Sequence, residues 1–465
     1  FYTNSEGYLI TPEVLPYGEY SLVEVQAPYG YALDSTPVNF SVSAENTEKE
    51  NTLTIVKVVK QNTAQKGKIS VQKTGDIFTS VAMASSAYTN ENGEMIVNPT
   101  TYTPVFADGD LSGAVFQVIA VEDIVTLDGT VHANAGNVVA EITTDENGYA
   151  ETDLLYLGKY EIKEVQAPYG YVRNSESQFV ELTYAGQEIA VRDTVNASFV
   201  NDYQSVEISL SKVMENDELF GIGNNNEYLS VRFGLFAAED IQAADGSVIP
   251  ADGLLSEVSF DENMTAKFDV QIPFGRYYVQ EIATDEHYVL NGEKYLVNFE
   301  YMGQDIQNVD IDCGQFVNLL KRGRIEGHKT DDKSEPLENA VFGLFTADCV
   351  KFSRDTAVMT AASDENGCFE FTDVPFGQYI VREIESPSGY ILSDKEYAVS
   401  ISEDGEVIEI TAENKPITVE ISKRDVYGNE LVGAEMVLEN ADGETVDMVL
   451  SISLDTFYSN KNYAT

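Results

Sequence analysis

A repeated segment constrains the fold of this chain more than any other feature of its 465 residues. The segment LPYGEYSLVEVQAPYGY at 15–31 recurs as LYLGKYEIKEVQAPYGY at 155–171, as IPFGRYYVQEIATDEHY at 272–288 and as VPFGQYIVREIESPSGY at 374–390. Each copy joins a glycine turn to residues that alternate between apolar and polar, which is the period of a strand with one buried face. Such recurrence predicts a series of similar β modules rather than one large domain.

Three other elements recur around this segment and indicate where the modules begin and end. A turn of the DENG type stands at 4–7, 145–148, 261–264 and 364–367. An opening strand stands at 67–75, 206–214, 323–331 and 418–425, and a closing strand at 58–65, 197–202, 314–320 and 410–416. Their order predicts three complete modules, numbered 2 to 4 here: 67–204, 205–322 and 323–416. Module 1 (1–66) and module 5 (417–465) are predicted to be parts of two further modules.

Short alternating strands, frequent turns and almost no helical periodicity predict an all-β fold of tandem immunoglobulin-like β-sandwich domains. Segments 75–110 and 121–138 are insertions in module 2. The second insertion contains EDIVTLDGTVHANAG, which resembles EDIQAADGSVIPADG at 239–253 in module 3. We therefore expect these two segments to form the same excursion at an edge of the sandwich.

The charge of the chain excludes several classes of partner. With 28 Lys and Arg against 78 Asp and Glu, the formal net charge is −50. Nucleic acids and anionic membranes attract clustered basic residues, so both are excluded as partners. A hydrophobic content of 43% excludes a disordered acidic tail, because that much apolar material forms cores. No apolar run approaches the roughly 20 residues of a membrane span, and the missing initiator methionine and secretion signal suggest a fragment.

Cysteine and histidine are too sparse to organise a site. Cys313, Cys349 and Cys368 are too scattered for a disulfide framework or a zinc site, although Cys349 and Cys368 could pair within module 4. The three histidines stand far apart in the sequence and offer neither a proton relay nor a metal cluster. We therefore expect no cofactor and assign no metal ligand.

Ionisable residues stand in phase with the apolar residues of the recurring strands. Alternate residues of a strand share a face, so Lys73 lies on the face of Ile69 and Val71. The same test places a lysine, a glutamate and an asparagine on apolar faces throughout: Lys73, Lys212, Lys329 and Lys423 in the opening strands, Glu24, Glu164, Glu281 and Glu383 in the repeated segment, and Asn62, Asn201, Asn318 and Asn414 in the closing strands. A buried unpaired charge costs several kcal/mol, so these residues need a common explanation.

Two interpretations account for this pattern. In the first, each lysine forms a buried ion pair with a glutamate and a hydrogen bond with an asparagine, or these groups reach solvent at strand ends. In the second, a desolvated and neutral lysine attacks the asparagine amide while a protonated glutamate polarises the amide and shuttles protons. Ammonia leaves, and the product is a neutral isopeptide bond that removes the buried charge.

The motif YxLxExxAPxGY, with lysine in the first strand and asparagine in the last, resembles a known family. It is similar to the B-type repeat of collagen-binding surface proteins and to the prealbumin-like, SpaA-type domains of Gram-positive pilins. The resemblance implies prealbumin-like sandwiches in an elongated array, which serve as a structural stalk with self-formed Lys–Asn isopeptide bonds and a glutamate catalyst. The implied trios are Lys73, Glu164 and Asn201; Lys212, Glu281 and Asn318; and Lys329, Glu383 and Asn414. Glu24 and Asn62 in module 1, and Lys423 in module 5, belong to incomplete trios. The loop after Glu281 lacks the AP and GY elements, so this glutamate could be displaced.

The resemblance also implies an extracellular location on the surface or wall of a Gram-positive bacterium. Binding to a host or neighbouring-cell ligand would then belong to other parts of the full protein, and attachment to peptidoglycan would lie outside this fragment. The chain would not be a turnover enzyme, because each crosslink forms once. Two alternatives remain open: a calcium-dependent repeat adhesin, suggested by acidic turns at 108–110 and 310–312, and a ligand-binding adhesin that uses the insertions at 75–110 or 121–138.

Overall fold

The structure is a computed structural model of the chain and describes residues 1–45, 48–50, 53–89, 95–419, 421–431 and 433–445. Residues 90–94 of the first insertion and 446–465 of module 5 lie outside the described residues. Within those ranges all regular structure is β-strand apart from one 3-10 turn, Glu227–Ser230. The predicted all-β fold is therefore confirmed. The chain divides into two compact units, Phe1–Arg322 with Ser402–Asp404, and Gly323–Ile401 with Gly405–Thr465.

Module 1 contributes two pairs of short antiparallel strands, β1 with β2 and β3 with β4. Their bounds are β1 Gly18–Leu22, β2 Val38–Val42, β3 Glu48–Glu50 and β4 Leu53–Ile55. The repeated segment supplies β1, as its alternation predicts.

Module 2 is a sandwich of two sheets. One sheet places β6 between β14 and β18 and continues through β9, and the other has the order β13-β10-β16-β17. The strands are β5 Lys66–Gly67, β6 Ile69–Ala84, β7 Ala87–Thr89, β8 Met95–Val97, β9 Thr101–Asp110, β10 Val115–Ala120, β11 Ile124–Val125, β12 Val131–Ala133, β13 Val138–Thr143, β14 Tyr149–Glu151, β15 Leu155–Tyr156, β16 Gly158–Gln166, β17 Gln178–Leu182 and β18 Val195–Asn201.

Module 3 repeats this arrangement with sheets β24-β19-β27 and β23-β20-β25-β26. Its strands are β19 Ser205–Met214, β20 Arg232–Ala237, β21 Ile241–Gln242, β22 Val248–Ile249, β23 Leu254–Val258, β24 Thr265–Phe268, β25 Gly275–Ala283, β26 Tyr295–Phe299 and β27 Asn308–Asn318. The hairpin β21–β22 corresponds to β11–β12 of module 2. The two segments that resemble each other in sequence thus form the same small excursion.

Module 4 has sheets β31-β28-β34 and β30-β29-β32-β33. Its strands are β28 Arg322–Asp331, β29 Val341–Thr346, β30 Met359–Ala362, β31 Cys368–Pro375, β32 Gly377–Glu385, β33 Glu396–Ile401 and β34 Val407–Asn414. Gly327 of β28 faces the ring of Phe369, and a Cβ at this glycine would lie 2.0 Å from the ring. Cys349 and Cys368 are free thiols, so the possible pairing is not formed.

The first and last strands of each complete module pair in parallel: β6 with β18, β19 with β27, and β28 with β34. Lys73 stands opposite Phe199, Lys212 opposite Phe316 and Lys329 opposite Ala412. The asparagine follows two residues after each of these partners, on the same face of the sheet. A parallel pair needs a long crossover, so the whole body of the module separates the two strands in sequence.

The tyrosine of the repeated segment closes the turn that precedes its strand. The hydroxyl of Tyr160 donates to the carbonyl of Tyr156 at 2.6 Å, and Tyr277 donates to Pro273 at the same distance. Module 4 repeats the bond with Tyr379 as the donor. These rings lie in the cores, so the bond satisfies a hydroxyl that burial would otherwise leave without a partner.

The first insertion extends β6 and β9 into a long hairpin that reaches module 3. Thr101 of β9 pairs in parallel with Leu254 of β23. Phe78, Val81 and Tyr102 pack against the hydrophobic core of module 3. The insertion is therefore a contact between consecutive modules.

Candidate functional site: a buried lysine, glutamate and asparagine in each complete module

The three implied trios are buried in the module cores. All nine residues of the trios are at most 3% exposed: Lys73, Glu164, Asn201, Lys212, Glu281, Asn318, Lys329, Glu383 and Asn414. Charged residues are almost never buried to this degree unless they are paired. The structure therefore brings together, in each module, the three residue types that the alternation placed on apolar faces.

Each trio spans the two sheets of its sandwich. The lysine and the asparagine project from the parallel first and last strands of one sheet, and the glutamate projects from the strand of the repeated segment in the other. In module 2 these strands are β6, β18 and β16. Lysine and asparagine thus come from strands far apart in sequence and adjacent in space.

A register shift in the sheet accompanies each glutamate. Glu164 stands opposite Phe116, Glu281 opposite Phe233 and Glu383 opposite Phe342, and the pairing shifts at the residue before each phenylalanine. Such bulges re-aim a side chain. Sequence reasoning missed this element, although AVF at 114–116, VRF at 231–233 and AVF at 340–342 form a recurring signal.

A backbone N–H holds the second carboxylate oxygen of each glutamate. The donor stands ten residues after the glutamate: Asn174 at 2.7 Å, Asn291 at 2.7 Å and Ser393 at 2.8 Å from Oε2. The loop between the glutamate strand and the next strand therefore fixes the carboxyl orientation and leaves Oε1 for the trio.

The glutamate Oε1 accepts a hydrogen bond from the asparagine amide in all three modules. Nδ2 of Asn201, Asn318 and Asn414 donates to Oε1 at 2.9, 2.8 and 2.8 Å respectively. This contact aims the carboxyl group at the nitrogen that would leave as ammonia.

The lysine amine approaches the pair to a different extent in each module. Lys212 Nζ lies 2.6 Å from Asn318 Oδ1 and 3.0 Å from Glu281 Oε1. Lys329 Nζ lies 3.7 Å from Glu383 Oε1 and has no hydrogen-bond partner in the described part of the chain. Lys73 Nζ contacts only the carbonyl of Thr74, at 3.4 Å, among the hydrogen bonds of the described residues.

Buried acceptors also lack partners. Within the described ranges, Oδ1 of Asn201 and of Asn414 accepts no hydrogen bond. A buried polar atom without a partner costs about 1–3 kcal/mol. Together with the amine of Lys329, whose contact with Glu383 is an ion pair at 3.7 Å, these atoms leave the hydrogen bonding of the sites in modules 2 and 4 incomplete.

Burial shifts the pKa of the three lysines and of Glu164 in the direction that favours nucleophilic attack. Desolvation lowers the pKa of Lys73 from 10.5 to about 8, and it lowers the pKa of Lys212 and Lys329 as well. Desolvation also raises the pKa of Glu164 above its usual value of 4.5. A lysine that loses its proton more easily and a glutamate that keeps one are suited to act as nucleophile and acid.

Module 3 keeps its glutamate in place although its loop lacks the AP and GY elements. Glu281 makes the same two hydrogen bonds as Glu164 and Glu383. Thr284, which stands where module 2 has Ala167, accepts a further hydrogen bond from Asn318 Nδ2 at 2.7 Å. The displacement that the loop sequence allowed is absent from this part of the described structure.

The incomplete modules differ from each other. In module 1, Asn62 Nδ2 donates to Glu24 Oε2 at 2.7 Å, and both residues are half-buried. In module 5, Lys423 is exposed and lies outside any strand, contrary to the prediction of an opening strand with a core-facing lysine. Its neighbours Val419 and Ile421 are also exposed, because none of the described residues covers this face.

Metal-binding clusters and membrane-spanning helices are both absent from the described ranges. The described ranges contain no cluster of three or more His, Cys, Asp or Glu side chains placed to hold a metal ion. They also contain no helix with the length and apolarity needed to cross a bilayer.

The family of the chain follows from its sequence and its modules. The SpaA prealbumin-like fold domain family matches residues 1–57, 106–195 and 323–416, which are just over half of the chain. The chain belongs to this family. Module 3 lies outside the matched residues, yet it has the same two sheets and the same buried trio.

Individual proteins of known name are similar to parts of the chain. A collagen adhesin of Staphylococcus aureus is 24% identical over 243 residues, which are 48% of this chain and 18% of the adhesin. The chain thus spans less than a fifth of that relative. The TIE protein of Bacillus anthracis is 21% identical over 76% of this chain and 51% of its own, with a TM-score of 0.51, which shows a shared fold. BcpA, the major pilin subunit of Bacillus cereus, aligns over 76% of this chain and 100% of its own at 17% identity, with a TM-score of 0.33.

Proposed function

We propose that these modules form the stalk region of a bacterial cell-surface adhesin or pilin, and that a self-formed Lys–Asn isopeptide bond closes each complete module. The observation that carries the proposal is the burial of one lysine, one glutamate and one asparagine in each of three successive cores. The asparagine donates to the glutamate in all three, and the lysine lies within ion-pair reach of the glutamate in modules 3 and 4. As ordinary polar contacts these groups are costly, whereas the amide product is neutral.

The proposed reaction has three residues in distinct roles. The neutral Nζ of the lysine attacks Cγ of the asparagine, so that one C–N bond forms. The glutamate takes a proton from the attacking nitrogen and delivers one to Nδ2, with which it already shares a hydrogen bond. The bond between Cγ and Nδ2 then breaks, and one ammonia leaves per crosslink. Each module reacts once, so the chain is not a turnover enzyme, and it needs no cofactor.

The position of the bond explains how such a module would serve in a stalk. Tension on the chain loads the first and last strands of each module, which are the two parallel partners. A covalent link between them carries the load past the body of the sandwich, so the module does not extend beyond the crosslink. This role needs no disulfides, which agrees with three free thiols in a protein that we place outside the cell.

The relatives suggest the setting of the whole protein. The adhesin and the pilin point to a surface or wall location, with peptidoglycan attachment and binding of a host or neighbouring-cell ligand by regions beyond these modules. The charge of −50 suits a solvated outer surface and disfavours nucleic acid.

Intact mass spectrometry of the purified chain tests the proposal. We expect a mass lower than that calculated from the sequence by three molecules of ammonia, one for each complete module. Peptide mapping should then join Lys73 to Asn201, Lys212 to Asn318 and Lys329 to Asn414. A full, undiminished mass would refute the crosslinks and leave the ion-pair interpretation.

The protonation of Lys73 gives a pH dependence that can be measured when the crosslink is blocked. In an Asn201→Ala variant the amine cannot react, so its pKa stays near 8 in the folded module and 10.5 in the unfolded chain. The folded state then binds this proton less tightly, and the free energy of unfolding should rise as the pH increases from about 8 to about 10.5. Chemical denaturation across this window measures the effect. In the control, Lys73→Met with Asn201→Ala, this rise should disappear; an equal rise in both variants would contradict the assignment.

A further inference from the structure

A short loop of modules 2 and 3 lies against the repeated segment of the module before it. The loop has the sequence Tyr-x-Gly-Gln and occupies 184–187 in module 2 and 301–304 in module 3. The surface that receives it is the APYGY sequence at 27–31 of module 1 and at 167–171 of module 2. Both joints are therefore built from the same pair of sequences.

The glutamine of the loop bonds to the start of APYGY. Gln187 Oε1 accepts the N–H of Ala27 at 2.9 Å, and Gln304 Oε1 accepts the N–H of Ala167 at 2.8 Å. The main-chain carbonyl of Gln187 also accepts the N–H of Leu33 at 2.8 Å. Each loop thus accepts hydrogen bonds from backbone N–H groups of the preceding module. These groups are within reach only when the two modules have the correct relative orientation.

The tyrosine of the loop packs on the aromatic residues of APYGY. Tyr184 lies with its ring centroid 4.8 Å from that of Tyr29, and Tyr301 lies 4.8 Å from Tyr169. The Tyr301 hydroxyl donates to the carbonyl of Tyr171 at 3.1 Å. Aromatic pairs at this distance add to the free energy of burial.

A second glutamine, which directly precedes the first strand of the following module, also contacts the loop. It stands three residues after the asparagine of the trio, as Gln65 after Asn62 and as Gln204 after Asn201, and both glutamines are at most 1% exposed. Gln204 Oε1 accepts the N–H of Met302 at 2.8 Å, while its Nε2 donates to the carbonyl of Gly303 in the loop and to that of Ile306 just after it. Gln65 repeats these contacts, with the N–H of Ala185 at 2.7 Å.

We propose that APYGY together with Asn-x-x-Gln forms a docking surface whose partner is the Tyr-x-Gly-Gln loop of the following module. This surface sets the orientation of modules 1, 2 and 3. At the boundary between modules 3 and 4, the sequence lacks both halves of this surface. Module 3 has ATDEHY at 283–288 in place of APYGY and Lys321 in place of the glutamine, and module 4 has SEDG at 402–405 in place of the Tyr-x-Gly-Gln loop. Paired presence and paired loss are expected of two halves of one recognition surface.

The joint between modules 2 and 3 has additional contacts. Tyr203 packs on Phe274 at 4.8 Å between ring centroids, and its hydroxyl accepts the N–H of that residue. The hairpin of β6 and β9 adds three further bonds, one of them from the N–H of Val81 to Ser247 Oγ at 2.8 Å. Module 1 has Ala64 and module 2 has Leu157 at the positions of Tyr203 and Phe274. The joint between modules 1 and 2 therefore depends more on its glutamines.

The test uses the full chain with its three cysteines replaced and spin labels introduced at exposed positions. Labels at Glu19 and Lys163 report on the first joint, and labels at Lys163 and Glu293 on the second. Gln65→Ala should broaden the first distance distribution. Gln204→Ala should broaden the second distribution less, because the hairpin remains. Gln117→Ala, which removes a bond to Glu141 within module 2, is the matched control and should change neither distribution.

Hydrogen exchange shows whether the substitutions act at the intended bonds. The amide of Ala185 should lose protection in Gln65→Ala, and that of Met302 in Gln204→Ala, each by about tenfold if a net 1.4 kcal/mol is lost. Unchanged distance distributions despite this loss would overturn the proposal. Gln304→Ala removes a bond from the opposite side of the second joint, so an unaltered distribution in that variant would overturn it independently. Neither outcome depends on the isopeptide bonds.

Discussion

Replacing Lys329 by methionine and Glu383 by glutamine should lower the free energy of unfolding of module 4 by about 4 to 5 kcal/mol. By analogy with a disulfide, closing a loop of roughly 100 residues restricts the unfolded chain by about this amount. For a domain of this size the loss corresponds to a fall of roughly 20 °C or more in the melting temperature. Calorimetry of the full chain would resolve module 4 as a separate, earlier transition.

The double substitution isolates the crosslink from the charges. Replacing a buried ion pair by neutral side chains of similar size is often neutral or stabilising, so the loss reports the covalent bond. A matched control replaces Arg382 and Glu396, a partly exposed ion pair at 2.8 Å on the same sheet, by methionine and glutamine. That change should cost less than about 1 kcal/mol. Equal melting of the two variants would show that no crosslink stabilises this module.

Glu164→Gln should slow formation of the module 2 crosslink by about 10²- to 10⁴-fold, the usual contribution of a positioned acid or base. The amide keeps the shape of the side chain, but it has one acceptor oxygen for the two donors of Asn174 and Asn201, and it cannot exchange a proton with the lysine and the leaving nitrogen. The mass deficit of a freshly purified sample should fall by one ammonia, and modules 3 and 4 should keep theirs.

The neighbouring Glu161 offers the control for this variant. It lies on the same strand, and its carboxylate accepts a hydrogen bond from Ser177 rather than from the trio. Glu161→Gln should keep the full deficit of three ammonia molecules. If Glu164→Gln also kept it, the glutamate would have no part in the reaction, although the bond itself would stand.

Many of the residues of the candidate site can be predicted from the local sequence around them. The alternation of residues around Lys73, Glu164 and Asn201 is sufficient to place each of them on an apolar face, because a strand has a period of two. The same rule placed Lys423 wrongly. Alternation identifies a face, but only packing from other elements buries it, and none of the described residues covers the face of Lys423.

Other parts of the site depend on pairings between distant strands. The parallel register that sets Lys73 opposite Phe199 joins the two ends of a module, and no local pattern specifies it. The bulge opposite Phe116 and the N–H of Asn174, which together aim Glu164, arise from neighbouring strands and loops. The distance from lysine to glutamate also depends on the tertiary structure, since it is 3.0 Å in module 3 and 3.7 Å in module 4.

By itself, the sequence determined the modular β architecture and the residues of each trio, because repeats and two-residue alternation are written along the chain. Only the tertiary structure decided how the trio members meet, since lysine and asparagine come from one sheet and glutamate from the other. It also decided the role of APYGY. In the sequence this motif marks a family, whereas in the folded chain its backbone and rings receive the loop of the next module.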